Sequence, residues 1–153
     1  MTKTLLMAAA LTSIVMLTGQ VALAQESGAN AEYDKYIELL RKDLRSGKKQ
    51  LIAGNMSFTD TEATKFWPIY DKYAAEQTKI YDARLALIKE YAANFDKLTN
   101  ATAASLNERS TAVDEALVAL RVKYIPLVAK VLPGKKSALF FQLDKRIALL
   151  IDL

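Results

Sequence analysis

The stretch from Phe58 to Lys97 constrains this chain more than any other. It opens with FTDTEATKFWPIYDKY and keeps apolar residues at helical spacing to its end. Thr59 can cap the helix, and Glu62, three residues on, can reach back to the cap backbone, which makes a capping box. A helix over this whole stretch is about 60 Å long, more than most globular helices reach. Two adjacent seams run along it. One holds Phe66, Ile69, Tyr73, Ile80, Leu87 and Tyr91; the other holds Trp67, Tyr70, Ala74, Tyr81, Leu85, Ile88, Ala92 and Phe95. The remaining face, with Lys65, Lys72, Glu76, Lys79, Glu90 and Lys97, is predicted to be solvated. Two apolar seams need cover on both sides. Either the helix is wedged between two others of its own chain, or one seam meets its own chain and the other a second copy. Its length favours the second arrangement, a homodimer.

Pro68 sits inside this pattern, directly after Trp67, the only tryptophan. A proline removes its own N–H bond and crowds the carbonyl four residues back, here that of Thr64, at a cost of about 3 kcal/mol in a straight helix. Pro126 repeats the arrangement in KYIPLVAKVL. Either the two mark helix bends with matched curvature, or each relaxes a local packing clash.

The rest of the chain is helical in pattern as well. Residues 31–53 carry a narrow stripe of Tyr33, Ile37, Leu40, Leu44 and Leu51, and Gly54 suits a helix C-terminus. Asn100 or Thr102 can cap a third helix that reaches Leu132, with Leu106, Val113, Leu117, Leu120, Tyr124, Leu127 and Val131 in near-heptad rhythm. The PGKK sequence at 133–136 restarts a fourth helix, with Leu139, Phe140, Leu143, Ile147 and Leu150 inward. No alternating β-branched run bounded by turn pairs exists, so strands are not expected. The predicted fold is all-α, with four helices in an elongated, curved antiparallel hairpin arrangement.

Residues 1–24 have a separate character. Lys3 precedes an apolar run from Leu5 to Leu17, and Ala22-Leu23-Ala24 places small residues before a cut at Gln25. That is the layout of a secretory signal peptide. The alternative is an uncleaved anchor, since the run is nearly long enough to span a bilayer. Cleavage leaves residues 25–153 as a single all-helical exported domain with no membrane span. Its formal charge falls from +4 to +3, because the segment carries one lysine and no acid. So mild an excess does not point to nucleic acid. The absence of cysteine excludes a lipid-anchored lipoprotein and any disulfide staple.

Catalytic chemistry finds little to use. With no histidine and no cysteine, Cys/His catalysis and the usual transition-metal ligand sets are missing. Serines and threonines have no histidine base, Asp114 and Glu115 point to different parts of a helix surface, and no glycine-rich phosphate loop occurs. Glu62, Glu76 and Glu90 read as caps or partners of nearby lysines. The expectation is a non-enzyme without cofactor or metal.

Binding residues are easier to nominate. RKDLRSGKK supplies Arg41, Lys42, Arg45, Lys48 and Lys49 against Asp43. It is either a long-range attractor for acidic, unfolded or sensor-domain partners or merely a solvated helix face. Gly47 within it weakens the helix by about 1 kcal/mol relative to alanine. Met56, Phe58 and Trp67, with some of the seven tyrosines, offer an adaptable apolar surface.

These residues resemble those of the Spy/CpxP group of bacterial periplasmic proteins, marked by an export signal, a helical domain and two LTxxQ-type segments. FTDTE at 58–62 stands where the first belongs, with Phe for Leu and Glu for Gln. VLPGKKSALFFQLDKRI at 131–147 resembles the second, with Pro133 in place of the threonine, and FWPIYDKY is similar to a block in relatives of the group. The resemblance implies an antiparallel dimer shaped as a curved cradle, whose basic, lightly apolar concave face binds unfolded clients without ATP. Other members regulate an envelope-stress sensor kinase or bind metal. The expected function is therefore a periplasmic chaperone-like or envelope-stress protein. The alternatives are a regulatory module for a sensor kinase or other envelope protein, and a structural helical dimer without clients.

Overall fold

The computed structural model describes residue 32 and residues 34–151, the side chains of 150 and 151 excepted. The expected signal segment at 1–24, Tyr33, and the inward placement of Leu150 lie outside the described residues. Those residues are all-helical, with four α-helices and no strand among them. They divide at Gln50–Leu51 into two compact units. Helix α1 covers 34–56, of which residues to 50 belong to the first unit and 51–56 to the second. The second unit also contains α2 (Asp60–Asn94), α3 (Asn100–Ala129) and α4 (Gly134–Ile151).

Local chemistry sets the boundaries. Gly54 does not end α1, which runs on to Met56; the left-handed residue after it is Ser57, at φ 45°. The reason is packing, because Ile52 and Met56 are both core residues and the last turn must continue to seat Met56. The capping box of α2 forms as expected. Thr59 Oγ1 accepts from the Glu62 N–H at 3.2 Å, and Glu62 Oε2 accepts from the Thr59 N–H at 2.8 Å. After α2 a short 3₁₀ turn at Phe95–Lys97 leads to extended Leu98. The cap of α3 is Thr99, not Asn100 or Thr102: its hydroxyl accepts from the Thr102 N–H at 3.1 Å, which makes Asn100 the first helical residue. α3 ends at Ala129, before the expected Leu132, whose N–H still bonds the Val128 carbonyl at 2.9 Å. The Pro133 carbonyl accepts from Ser137 and opens α4.

Pairings between helices give their directions. Glu76 meets Lys123, Arg84 meets Asp114, and Glu90 meets Arg109, so α3 runs antiparallel to α2. Lys136 meets Glu62, Phe140 meets Phe66, and Asp144 meets Tyr73, so α4 runs along the first half of α2 in the same direction. The core of the second unit therefore lies at one end, where α2, α3, α4 and residues 51–56 converge on Phe66, Tyr70, Tyr73, Tyr124 and Phe140. The other half of the α2–α3 hairpin is a pair of helices only, and Ile88, Tyr91 and Phe95 are exposed there.

The seams of α2 are reorganised. Phe66, Tyr70, Tyr73 and Gln77 are its buried residues, at alternating steps of four and three. They form one coiled-coil-type seam drawn from both expected ones, and it continues through Ile80 and Arg84. Glu76 and Glu90, expected on the solvated face, are half-buried and turned to α3. In α3 the buried set is Leu106, Val113, Leu120, Tyr124 and Val128; Leu117 is half-buried and Leu127 exposed, and Val131, just past the helix end, is half-buried. Pro68 and Pro126 stand inside α2 and α3 at exposed positions, and neither ends its helix. On the solvent side the bond a proline forgoes is replaced by water.

Candidate functional site

The basic run belongs to the first unit. Its helix turns Arg41, Arg45 and Lys48 to the less exposed side, and Lys48 is only 8% exposed. Glu38, one turn earlier, binds both arginines, with Arg41 Nη1 at 3.8 Å and Arg45 Nη2 at 3.0 Å. Lys42 is exposed and Lys49 half-exposed. Of the predicted apolar stripe, Leu40, Leu44 and Leu51 are exposed and Ile37 is half-buried; Tyr36 and Leu39, outside that stripe, are exposed as well. The expected phase is thus reversed, with leucines in water and two arginines partly covered. Periodicity reported the stripe correctly but not which stripe would be covered. The Glu38 partnership was legible from its three- and seven-residue spacing to the arginines.

In the second unit Met56, Phe58 and Trp67 do come together, but as packing. Met56 is 1% exposed and belongs to the core, so it does not lend a flexible contact to a loop surface. Phe58 and Trp67 are half-buried against it. Their rings lie 5.6 Å apart edge-on, and each packs on Phe66, at 4.8 Å and 5.2 Å. Trp67 also meets Tyr70 at 5.4 Å and 90°. T-shaped aromatic pairs of this kind add about 0.5–1.5 kcal/mol beyond area burial. The cluster leaves the outer edges of Phe58 and Trp67 accessible beside the α2 N-terminus.

Lys136 ties α4 to that same corner. Its Nζ donates to Glu62 Oε2 at 2.5 Å and to the Ser57 carbonyl at 2.9 Å. One carboxylate thereby serves the cap of α2 and the anchor of α4. The Lys136 hydrogen bond, then the Thr59 N–H, holds Glu62 below the usual carboxylate range.

Polar residues inside the helix seams escaped the sequence reading. The Tyr73 hydroxyl donates to Asp144 Oδ2, and Gln77 Nε2 donates to the Tyr73 oxygen at 3.3 Å. Burial, then the charge of Asp144, raises the pKa of both Tyr70 and Tyr73. Glu76 accepts from Lys123 and from the Tyr124 hydroxyl at 2.8 Å, which lowers its pKa. Tyr124 in turn is pushed up to about 12 by burial and by that bond. Glu90 holds Arg109 in a two-pronged pair at 2.8 and 2.7 Å and is lowered by it. Every one of these carboxylates has a structural partner. Among the described residues no group of three or more His, Cys, Asp or Glu is arranged to hold a metal ion.

A shallow cleft near the hairpin tip, lined by Arg84, Leu87, Ile88, Tyr91, Leu106 and Val113, encloses about 210 Å³. Small-molecule sites usually need about 300–1,000 Å³, so it is a packing gap between two helices rather than a ligand pocket. No helix of the described residues is long and apolar enough to cross a membrane. Compared with family models, curated proteins and solved structures, the chain has no match.

Proposed function

We propose that the chain is an exported, ATP-independent binder of unfolded or partner envelope proteins, chaperone-like in the sense of the Spy/CpxP resemblance, acting in the periplasm as a curved helical homodimer. The observation that carries this reading is the surface of the first unit. Tyr36, Leu40 and Leu44 are exposed on the same helix that bears Arg41, Lys42 and Arg45. An apolar strip edged by cations suits an unfolded segment that mixes greasy and acidic residues, with long-range attraction first and apolar contact second. The second unit offers an apolar contact of its own in the half-open Phe58 and Trp67 rings. Pro68 and Pro126 give the two long helices a common means of curving. No step needs a nucleophile, a metal or a cofactor.

The test is suppression of client aggregation by stoichiometric mature chain. Leu40→Asp with Leu44→Asp should abolish protection, and reversal of Arg41, Lys42 and Arg45 to glutamate should weaken it, both with helicity retained. Unchanged protection in both variants refutes the surface, and no protection by the wild type refutes the activity.

A second reading is a regulatory module for one folded partner. Glu38 favours it, because it fixes Arg41 and Arg45 in place and so pre-organises them. Pull-down from envelope extract separates the two: one sharp band supports regulation, a broad smear supports client binding.

A further inference from the structure

α3 carries two apolar faces, and among the described residues only one is buried. Val113, Leu120, Tyr124 and Val128 are buried. On the far side Val118, Val122 and Ile125 are 56%, 63% and 44% exposed, at steps of four and three. These β-branched residues form a ridge one helix turn apart, edged on one side by Ala119 and Pro126, small enough to let another helix approach closely. Glu115 and Lys130, both exposed, stand at its two ends.

We infer that this ridge is where a second copy packs, α3 against α3 in antiparallel orientation, with the two-fold axis at Val122. The charges select this geometry. Glu115 lies seven residues before Val122 and Lys130 eight after it. At about 1.5 Å per residue, each stands about 10–12 Å from the axis along the helix. The two-fold brings Glu115 of one copy beside Lys130 of the other, and it does so twice, because an isologous contact repeats every pair. The helical angle agrees, since Glu115, Ala119, Pro126 and Lys130 all fall on the same flank of the ridge. A two-fold of this kind keeps like flanks together. Parallel packing would instead set Glu115 level with Glu115 and Lys130 level with Lys130, on opposite flanks, so that no opposite charges meet. Val122 would meet Val122 on the axis, with Val118 against Pro126 and Ile125 against Ala119. The inference deepens the proposed dimer and rests on it, but it is independent of any client.

Sedimentation of the mature chain across a dilution series tests it. The wild type should dimerise; Val122→Glu should be monomeric at the same concentrations with unchanged helicity and thermal midpoint, because the side chain is exposed. Glu115→Lys and Lys130→Glu should each weaken the dimer about tenfold, and the doubly swapped chain should recover most of that loss. Val122→Cys in this cysteine-free chain should cross-link to itself on oxidation. A dimer that survives Val122→Glu, or charge swaps that fail to rescue one another, overturns the interface while leaving a dimer by another face. A wild type that stays monomeric overturns the interface and the dimer together, and leaves the ridge to a foreign partner.

Discussion

The Tyr73 hydroxyl donates to Asp144 Oδ2 at 2.7 Å, joining α2 to α4 inside the core, with Asp144 0% exposed. A buried carboxylate tolerates such a site only while it is hydrogen-bonded. Tyr73→Phe removes that donor, and with it the acceptor of Gln77 Nε2, while leaving the ring in place. It should cost about 1–3 kcal/mol in chemical denaturation. Asp144→Leu with Tyr73→Phe should cost less than the two single changes added together, which a double-mutant cycle measures.

The carboxylates that join helices make the fold acid-sensitive. Glu62, Glu76 and Glu90 are all lowered from an ordinary value of 4.5. A carboxylate depressed in the folded state contributes its full stability above the unfolded value. That contribution declines as pH falls past 4.5 and is gone below the folded values. Thermal midpoints should therefore drop as pH falls below about 4.5, and Lys136→Met should flatten part of that slope. At the other extreme Tyr124 is raised from 10.0 to about 12. A raised phenol stabilises the fold below pH 10 and loses that effect as pH climbs through the folded value, so alkaline unfolding should begin near pH 10.

Glycine positions offer a clean contrast. Gly54 lies within α1, and a Cβ placed there meets nothing within 4 Å. Gly54→Ala should stabilise by about 0.5–1 kcal/mol, whereas at a left-handed cap the same change would destabilise. Ser57 does occupy left-handed backbone, so Ser57→Gly should be neutral or stabilising by up to about 1 kcal/mol. Urea melts of the two variants decide where the helix ends.

Core and tip should respond very differently to truncation. Phe140, 0% exposed against Phe66, Tyr70 and Tyr73, should cost about 3–5 kcal/mol as alanine. Phe95, 62% exposed, should cost under about 1 kcal/mol. Equal losses would mean that the tip is covered by something outside this chain.

Features governed by neighbours in sequence were legible. The Thr59–Glu62 box, the break at Pro133 and the helical class all follow from interactions within a few residues. The phase of the helices was not. The chain has more apolar helix surface than its core uses, so periodicity alone could not tell the Tyr36–Leu40–Leu44 strip from the one covered. In α2 the seam includes Gln77 and Arg84, and a reading that follows apolar residues steps off it at those positions. Met56 misled for a related reason: placed in a loop, it looked adaptable, but α1 extends a turn further and buries it. The basic run was visible from composition, and its partial neutralisation by Glu38 from the three- and seven-residue spacing to Arg41 and Arg45.

The placement of α4 has a consequence for motion. Its anchors on α2 stop at Tyr73, so the amides beyond Ile80 and before Val113 are held by a single helix–helix contact. Those amides should exchange with solvent through local openings, long before the four-helix end gives way. The hairpin is a lever clamped at one end, able to melt and re-form its free arm without the loss of its root.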